Sequence, residues 1–175
     1  MRFFRYMCYF AVFFVTASCN RSANYDAPIG EEIAAPNLKS VVMGEVVYVP
    51  AYARIHHLKL KDRTAALVTT LAIHNTDMQQ PMVLRSVNYY AENGTLLKSY
   101  VRRPRLLPPL ATAIYYLSPE DSGKTGIGAN AIVEWVAEQT VSKPIIESIM
   151  VSTDHTLGIS FISQGYTIKK TGGKP

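Results

Sequence analysis

Short apolar runs that alternate with period two, each closed by a turn signal, constrain this chain more than any other feature. A strand turns successive side chains to opposite faces, whereas an amphipathic helix needs apolar residues three and four apart. From residue 45 onward the helical period is scarce. Eight strand-like runs emerge instead: 45–51, 65–74, 82–91, 96–101, 112–117, 130–138, 145–152 and 157–163. In the second, Leu67, Thr69, Leu71 and Ile73 share a face. In the sixth, Ala131, Val133, Trp135 and Ala137 do, with Glu134 and Glu138 opposite. In the last, Leu157, Ile159 and Phe161 alternate with Gly158, Ser160 and Ile162. The third and seventh runs are less regular, and Arg85 interrupts the series Val83, Val87 and Tyr89.

The punctuation agrees. Asn93-Gly94 joins two runs with residues that both tolerate positive φ, the signal of a tight hairpin. Asn75-Thr76-Asp77 ends the second run with side chains able to bond local amides. Pro104, Pro108 and Pro109 cannot donate to a ladder, so that stretch reads as a crossover or an edge. Residues 122–130, with Gly123, Gly126 and Gly128, read as a loop. The expected fold is all-β: an antiparallel two-sheet sandwich of about eight strands, of immunoglobulin-like type. Residues 45–166 form that domain, and 167–175 are expected to be a disordered tail.

The N-terminus reads as an export signal. Arg2 and Arg5 precede an uncharged apolar stretch from Tyr6 to Ala17, and small residues lead to Cys19. Those twelve residues reach about 18 Å as a helix, against a hydrocarbon core of about 30 Å, which is too short to span. Thr16-Ala17-Ser18-Cys19 resembles a bacterial lipobox, in which the cysteine becomes the first mature residue and carries a diacylglyceryl group. Thr16 departs from the usual leucine, and Val15 with Ala17 also fits an ordinary signal-peptidase site. Residues 1–18 are thus the expected signal, and 19–44, broken by Pro28, Gly30 and Pro36, a lipidated N-terminus and flexible tether. Asn20 after the cysteine is the pattern of enterobacterial lipoproteins sorted to the outer membrane, facing the periplasm.

Charge and cysteine content exclude several chemistries. Losing Arg2 and Arg5 lowers Lys+Arg from 18 to 16 against 13 acids, leaving +3. That is no footprint for nucleic acid. Cys8 lies within the signal, so the mature domain has no disulfide to rely on. Gly123-Lys124-Thr125 ends like a phosphate loop, but Ser118 stands where the leading glycine is required, and a strand pattern follows where a helix is needed. Gly126-Ile127-Gly128 precedes a strand, the reverse of a dinucleotide fingerprint. No serine sits in a Gly-x-Ser-x-Gly elbow. No cofactor is implied.

The remaining candidates are surface groups. His56 and His57 are neighbours and point to opposite faces in a strand, a poor metal pair. A metal site would have to draw on His74, Asp77, Asp154 and His155 as well. Arg102, Arg103 and Arg105 cluster beside Tyr100 and suit an anionic headgroup or an acidic partner, or serve as a charged edge. Tyr48 and Tyr52 combine an apolar body with a polar tip, as interfaces favour. The candidate binding surface therefore comprises Tyr48, Tyr52, His56, Asn75, Asp77, Arg102, Arg103 and Arg105.

Several segments, in order, carry a family resemblance: Val46-Val47-Tyr48-Val49-Pro50-Ala51-Tyr52, Asn75-Thr76-Asp77, Ser86-Val87-Asn88-Tyr89-Tyr90, Gly94 to Tyr100, Ala129-Asn130 to Trp135, and Gly158-Ile159-Ser160-Phe161. They resemble a bacterial family described as domain of unknown function 3124, over about residues 46–165. The resemblance implies export, often as a lipoprotein, and no assigned activity. The expectation is a lipid-anchored envelope protein that binds or scaffolds an envelope protein or polysaccharide without catalysis. The alternative is a metal-dependent or hydrolytic envelope enzyme.

Overall fold

A computed structural model describes residues 34, 38–56, 64–117, 127–152 and 158–172. The signal, Cys19, His57, Asp154 and His155 lie outside these residues. The described chain forms twelve strands and no helix. They are β1 (Met43–Pro50), β2 (Arg54–His56), β3 (Thr64–Ala66), β4 (Val68–His74), β5 (Met82–Tyr90), β6 (Leu96–Val101), β7 (Arg105–Leu107), β8 (Thr112–Leu117), β9 (Asn130–Ala137), β10 (Ile145–Ser152), β11 (Ile159–Gln164) and β12 (Tyr166–Thr171). Every pairing is antiparallel. The first sheet has the order β12-β1-β9-β5-β6, with β7 continuing β6 along β5; the second has the order β11-β10-β4-β8. β2 and β3 form a separate two-stranded ribbon. The two main sheets enclose one core, so the chain is an antiparallel β-sandwich; this strand order does not assign it to the immunoglobulin type.

Alternation decides which residues meet in that core. Val47 and Val49 of β1, Leu71 and Ile73 of β4, and Ala131, Val133 and Trp135 of β9 are all at most 3% exposed. β5 changes inward parity midway: Met82 and Leu84 are buried, then Val87 and Tyr89. A β-bulge explains it. Leu84 faces Trp135 and Val87 faces Val133, so Arg85 is one residue more than β9 has to pair. Its side chain reaches Glu134 on the outer face (Nη1 to Oε1, 3.2 Å). The irregular third run is therefore a regular strand with one insertion.

The Asn93-Gly94 hairpin forms, though with different geometry from the expected one. Only Gly94 has positive φ (81°), its N–H donates to the Ala91 carbonyl, and the Ala91 N–H donates to Thr95. This is a type I turn closed by a left-handed glycine, the three-residue hairpin, and the Asn93 side chain accepts from the Thr95 amide instead. The proline stretch is both edge and crossover. β7 lies between Pro104 and Pro108 on the rim of the first sheet, and the chain then crosses to β8 in the second.

The expected disordered tail is a correction. Residues 166–171 form β12, paired to β1 from Tyr48↔Tyr166 to Gly44↔Thr171. Backbone pairing needs no apolar side chain, so Lys169 and Lys170 sit on an edge strand, where charge also discourages further pairing. The sandwich thus runs from Met43 to Thr171. Gly165 is the corner between β11 in one sheet and β12 in the other, and its N–H donates to the Ile146 carbonyl. The opposite side is closed by side chains. The Tyr100 hydroxyl donates to the Tyr116 carbonyl (2.8 Å), and Arg105 donates to the Tyr115 hydroxyl (3.2 Å).

Candidate functional site

The antiparallel ladders give the sandwich two poles. At one gather the segment leading into β1, the β4–β5 loop, the β7–β8 loop and the β9–β10 loop. At the other lie the Asn93-Gly94 hairpin and the β2–β3 ribbon.

The first pole is knotted by Asn75 and Asp77. Asn75 is 2% exposed. Its amide donates to the carbonyls of Gln80, Leu107 and Pro108 at 2.9–3.1 Å, and its oxygen accepts the Asp77 N–H. The Asp77 carboxylate accepts from the amides of Gln79, Gln80 and Ser142 at 2.8–2.9 Å. These donors, Ser142 first, hold its pKa below the ordinary 3.8. Thr76 adds a bond to the Lys143 carbonyl. Three loops from both sheets are thereby held in one arrangement. Asn-x-Asp can do this because the two N–H groups of an amide are shared among three carbonyls, one N–H being bifurcated, while a carboxylate only accepts.

The other candidates are dispersed. Tyr48 lies half-buried on the outer face of the first sheet, between Ile132 and Tyr166. Tyr52, past the far end of β1, accepts the Thr69 hydroxyl at its carbonyl and places its ring 6.3 Å from Phe161. His56 is exposed on the ribbon. Arg102 and Arg103 are exposed at the sheet edge, but Arg105 is 8% exposed and bonded to Tyr115, so it does not belong to an open cationic patch. The eight residues form no single site: Asn75, Asp77 and Arg105 hold structure together.

No group of three or more metal-ligating side chains occurs among the described residues. The nearest approach to a catalytic row is on the outer face of the second sheet. There the His74 Nδ1 lies 2.9 Å from the Thr112 hydroxyl and its Nε2 lies 3.9 Å from Glu147. An open cleft of about 630 Å³ adjoins it, lined by Lys143, Ile145 and Gln164 among others. The carboxylate is beyond hydrogen-bond reach and does not fix the ring, so the row lacks the orienting acid of a nucleophile–base–acid system. It reads as ordinary cross-strand pairing.

That same face carries what residue-by-residue reading missed. Val68 of β4, Ile145 and Val151 of β10, and Ile162 of β11 are 38–59% exposed. All point away from the core, and pairing places Val68 beside Val151, Val151 beside Ser160, and Ile149 beside Ile162. Half-buried Ile114 and Tyr116 continue the surface onto β8. Inward, β10 carries Ile146, Ser148, Met150 and Ser152 in turn, and Ser148 donates to the Pro50 carbonyl. The irregular seventh run is a strand apolar on both faces. Its outward Ile145 and Val151 nonetheless stay exposed. The first sheet's outer corner illustrates the contrast, because Leu38 of the chain's own N-terminal segment helps line a cleft of about 230 Å³ beside Pro81, Val83 and Leu106.

Comparison with known proteins gives a family and little else. Residues 44–168 match the model of a family described as "Protein of unknown function (DUF3124)". No curated protein matches the chain. Among solved structures, "Crystal Structure of Thermotoga maritima 1070" is similar, with a TM-score of 0.41 and 12% identity over 70% of this chain and 92% of that one.

Proposed function

The chain belongs to that DUF3124 family of unknown function, and we propose from its own surface that it is a lipid-anchored envelope protein that binds another protein without catalysis. Cys19 carries the lipid, and the sandwich faces the periplasm from the outer membrane. One observation carries the binding role: Val68, Ile149, Val151 and Ile162 adjoin on the outer face of three neighbouring strands, with Ile145 beyond Glu147 at the edge. A contiguous exposed apolar surface of this kind marks an interaction site. The face is aliphatic, with Tyr116 as its aromatic and Glu147 and His74 at one end. Sugar recognition would call for stacked rings and many polar groups, so the partner is a protein with a flat apolar face.

The test is site-specific photocrosslinking in intact cells. Photoreactive residues at Val151 and Ile162 are expected to give one discrete adduct, and Ile162→Glu to abolish the adduct at Val151. A photoreactive residue at Leu96, far from this face, should give none. Adducts of the chain with itself would make the partner a second copy. Equal yield at Leu96 and Ile162, or no adduct at either face position, contradicts the reading.

A further inference from the structure

A second exposed apolar feature lies at the knotted pole. Met78 is 77% exposed and Leu110 64%. They sit on different loops, yet the Leu110 N–H donates to the Asp77 carbonyl at 3.1 Å, so Leu110 adjoins Met78. Leu110 also has φ of 57°, a left-handed conformation that a leucine adopts only at a cost. Strain of this kind persists where surroundings over-determine it, and it points to use. Here the knot over-determines it: Asn75 holds the Leu107 and Pro108 carbonyls, and Asp77 holds Ser142. Two large apolar side chains are thus exposed at one tip, with Leu110 fixed in a turn that the Ala111 N–H closes onto the Pro108 carbonyl.

The path of the chain says what lies opposite the tip. Ala34 pairs with Arg105 in antiparallel sense. β7 runs from Arg105 toward the knotted pole, since Leu107 pairs with Met82. Ala34, the first described residue, therefore lies beside β7 only two residues from that pole. The fourteen residues between Cys19 and Ala34 make fifteen steps and extend at most about 50 Å.

We infer that this pole docks on the bilayer to which the chain is tethered, with Met78 and Leu110 seated in the interfacial layer. The inference rests on the tethered reading of Cys19. Two side chains would bind lipid too weakly on their own, but a tether makes the contact intramolecular and raises the local lipid concentration. Charges at the pole are mixed: Lys143 lies 3.4 Å from Glu45, and Asp77 is bonded to backbone amides. Docking therefore depends on apolar insertion and is insensitive to salt.

The test supplies the anchor chemically, so that its failure is separate from any failure of acylation in cells. The chain from Cys19 onward has one thiol, Cys19, which can be coupled to a maleimide lipid in phosphatidylcholine vesicles with brominated acyl chains. Met78→Trp and, as the control at the opposite pole, Leu96→Trp are compared; native Trp135 is fully buried and serves as a constant background. On coupling, Met78→Trp should lose emission to bromine and shift to the blue, at low and high salt alike, while Leu96→Trp does neither. Adding Leu110→Ser should weaken the quenching. Equal quenching at both positions, none at Met78→Trp, or loss of quenching at high salt overturns the proposal. So does a blue shift that needs no lipid and grows with protein concentration, which would assign the tip to a second copy.

Discussion

At the scale of single residues, Asn75 and Asp77 carry the most structure for their size. Asn75→Ala leaves three carbonyls without their side-chain donor, each at a cost of about 1–3 kcal/mol if it stays dry, so a loss of roughly 2–4 kcal/mol is expected in urea unfolding. Asp77 gives a pH signature. Its pKa is lower folded than unfolded, so its stabilisation is complete above the ordinary 3.8 and is lost as pH falls through the lower folded value. The urea midpoint of the wild type should exceed that of Asp77→Asn by a constant margin between neutral and mildly acid pH, and the two should converge at stronger acid. A margin that grows on acidification would show the sign to be wrong. The Asn-x-Asp pattern was visible in the sequence as a turn signal. Its long-range partners were not, because Leu107, Pro108 and Ser142 enter through backbone groups that every residue type possesses.

At the scale of elements, Gly165 is the joint on which the closed side of the sandwich depends. A Cβ there would lie 2.6 Å from a Val47 methyl and 3.0 Å from the Ile146 carbonyl oxygen. Gly165→Ala is therefore expected to cost roughly 1–3 kcal/mol, as overpacking does, and to loosen β11 and β12 together. Hydrogen exchange should show faster amides in both strands; an effect confined to one would mean they do not share the corner. All eight strands were legible from alternation, because β4 and β9 bury one face cleanly. What escaped was short or edge structure: β2, β7 and β12 hold by backbone pairing, β3 was merged with β4 in the run 65–74, and a sequence such as Tyr-Thr-Ile-Lys-Lys-Thr offers little apolar alternation to detect. The bulge at Arg85 was readable as a break in register, though not as an insertion, since that requires knowing that β9 is the partner. The apolar outer face was present in the seventh run all along, as apolar residues at both parities.

At the scale of the whole molecule, the described parts fit one arrangement. A sandwich without a group of three or more metal-ligating side chains among its described residues has an exposed apolar sheet face, proposed to meet a partner, and a knotted pole with Met78 and Leu110, proposed to meet the bilayer. Both roles presuppose location. A chain left in the cytosol without its lipid would have no tether to hold its pole at a bilayer. The dispersal of the eight residues first singled out follows from the same architecture: strands carry neighbours in sequence to opposite faces and poles, so Tyr48, His56 and Asp77 cannot converge. The two surfaces are also separable by mutation. Ile162→Glu should leave the Met78→Trp quenching unchanged, because the positions lie on different faces of a rigid body.

Everything in this arrangement depends on what becomes of Cys19, and mass spectrometry of the intact protein from cell membranes tests it most directly. The account predicts a chain that begins at Cys19 and carries the added mass of acyl chains, and that leaves the membrane fraction in Cys19→Ala. A native chain that begins at Met1, or one whose Cys19 is a free thiol, would contradict it.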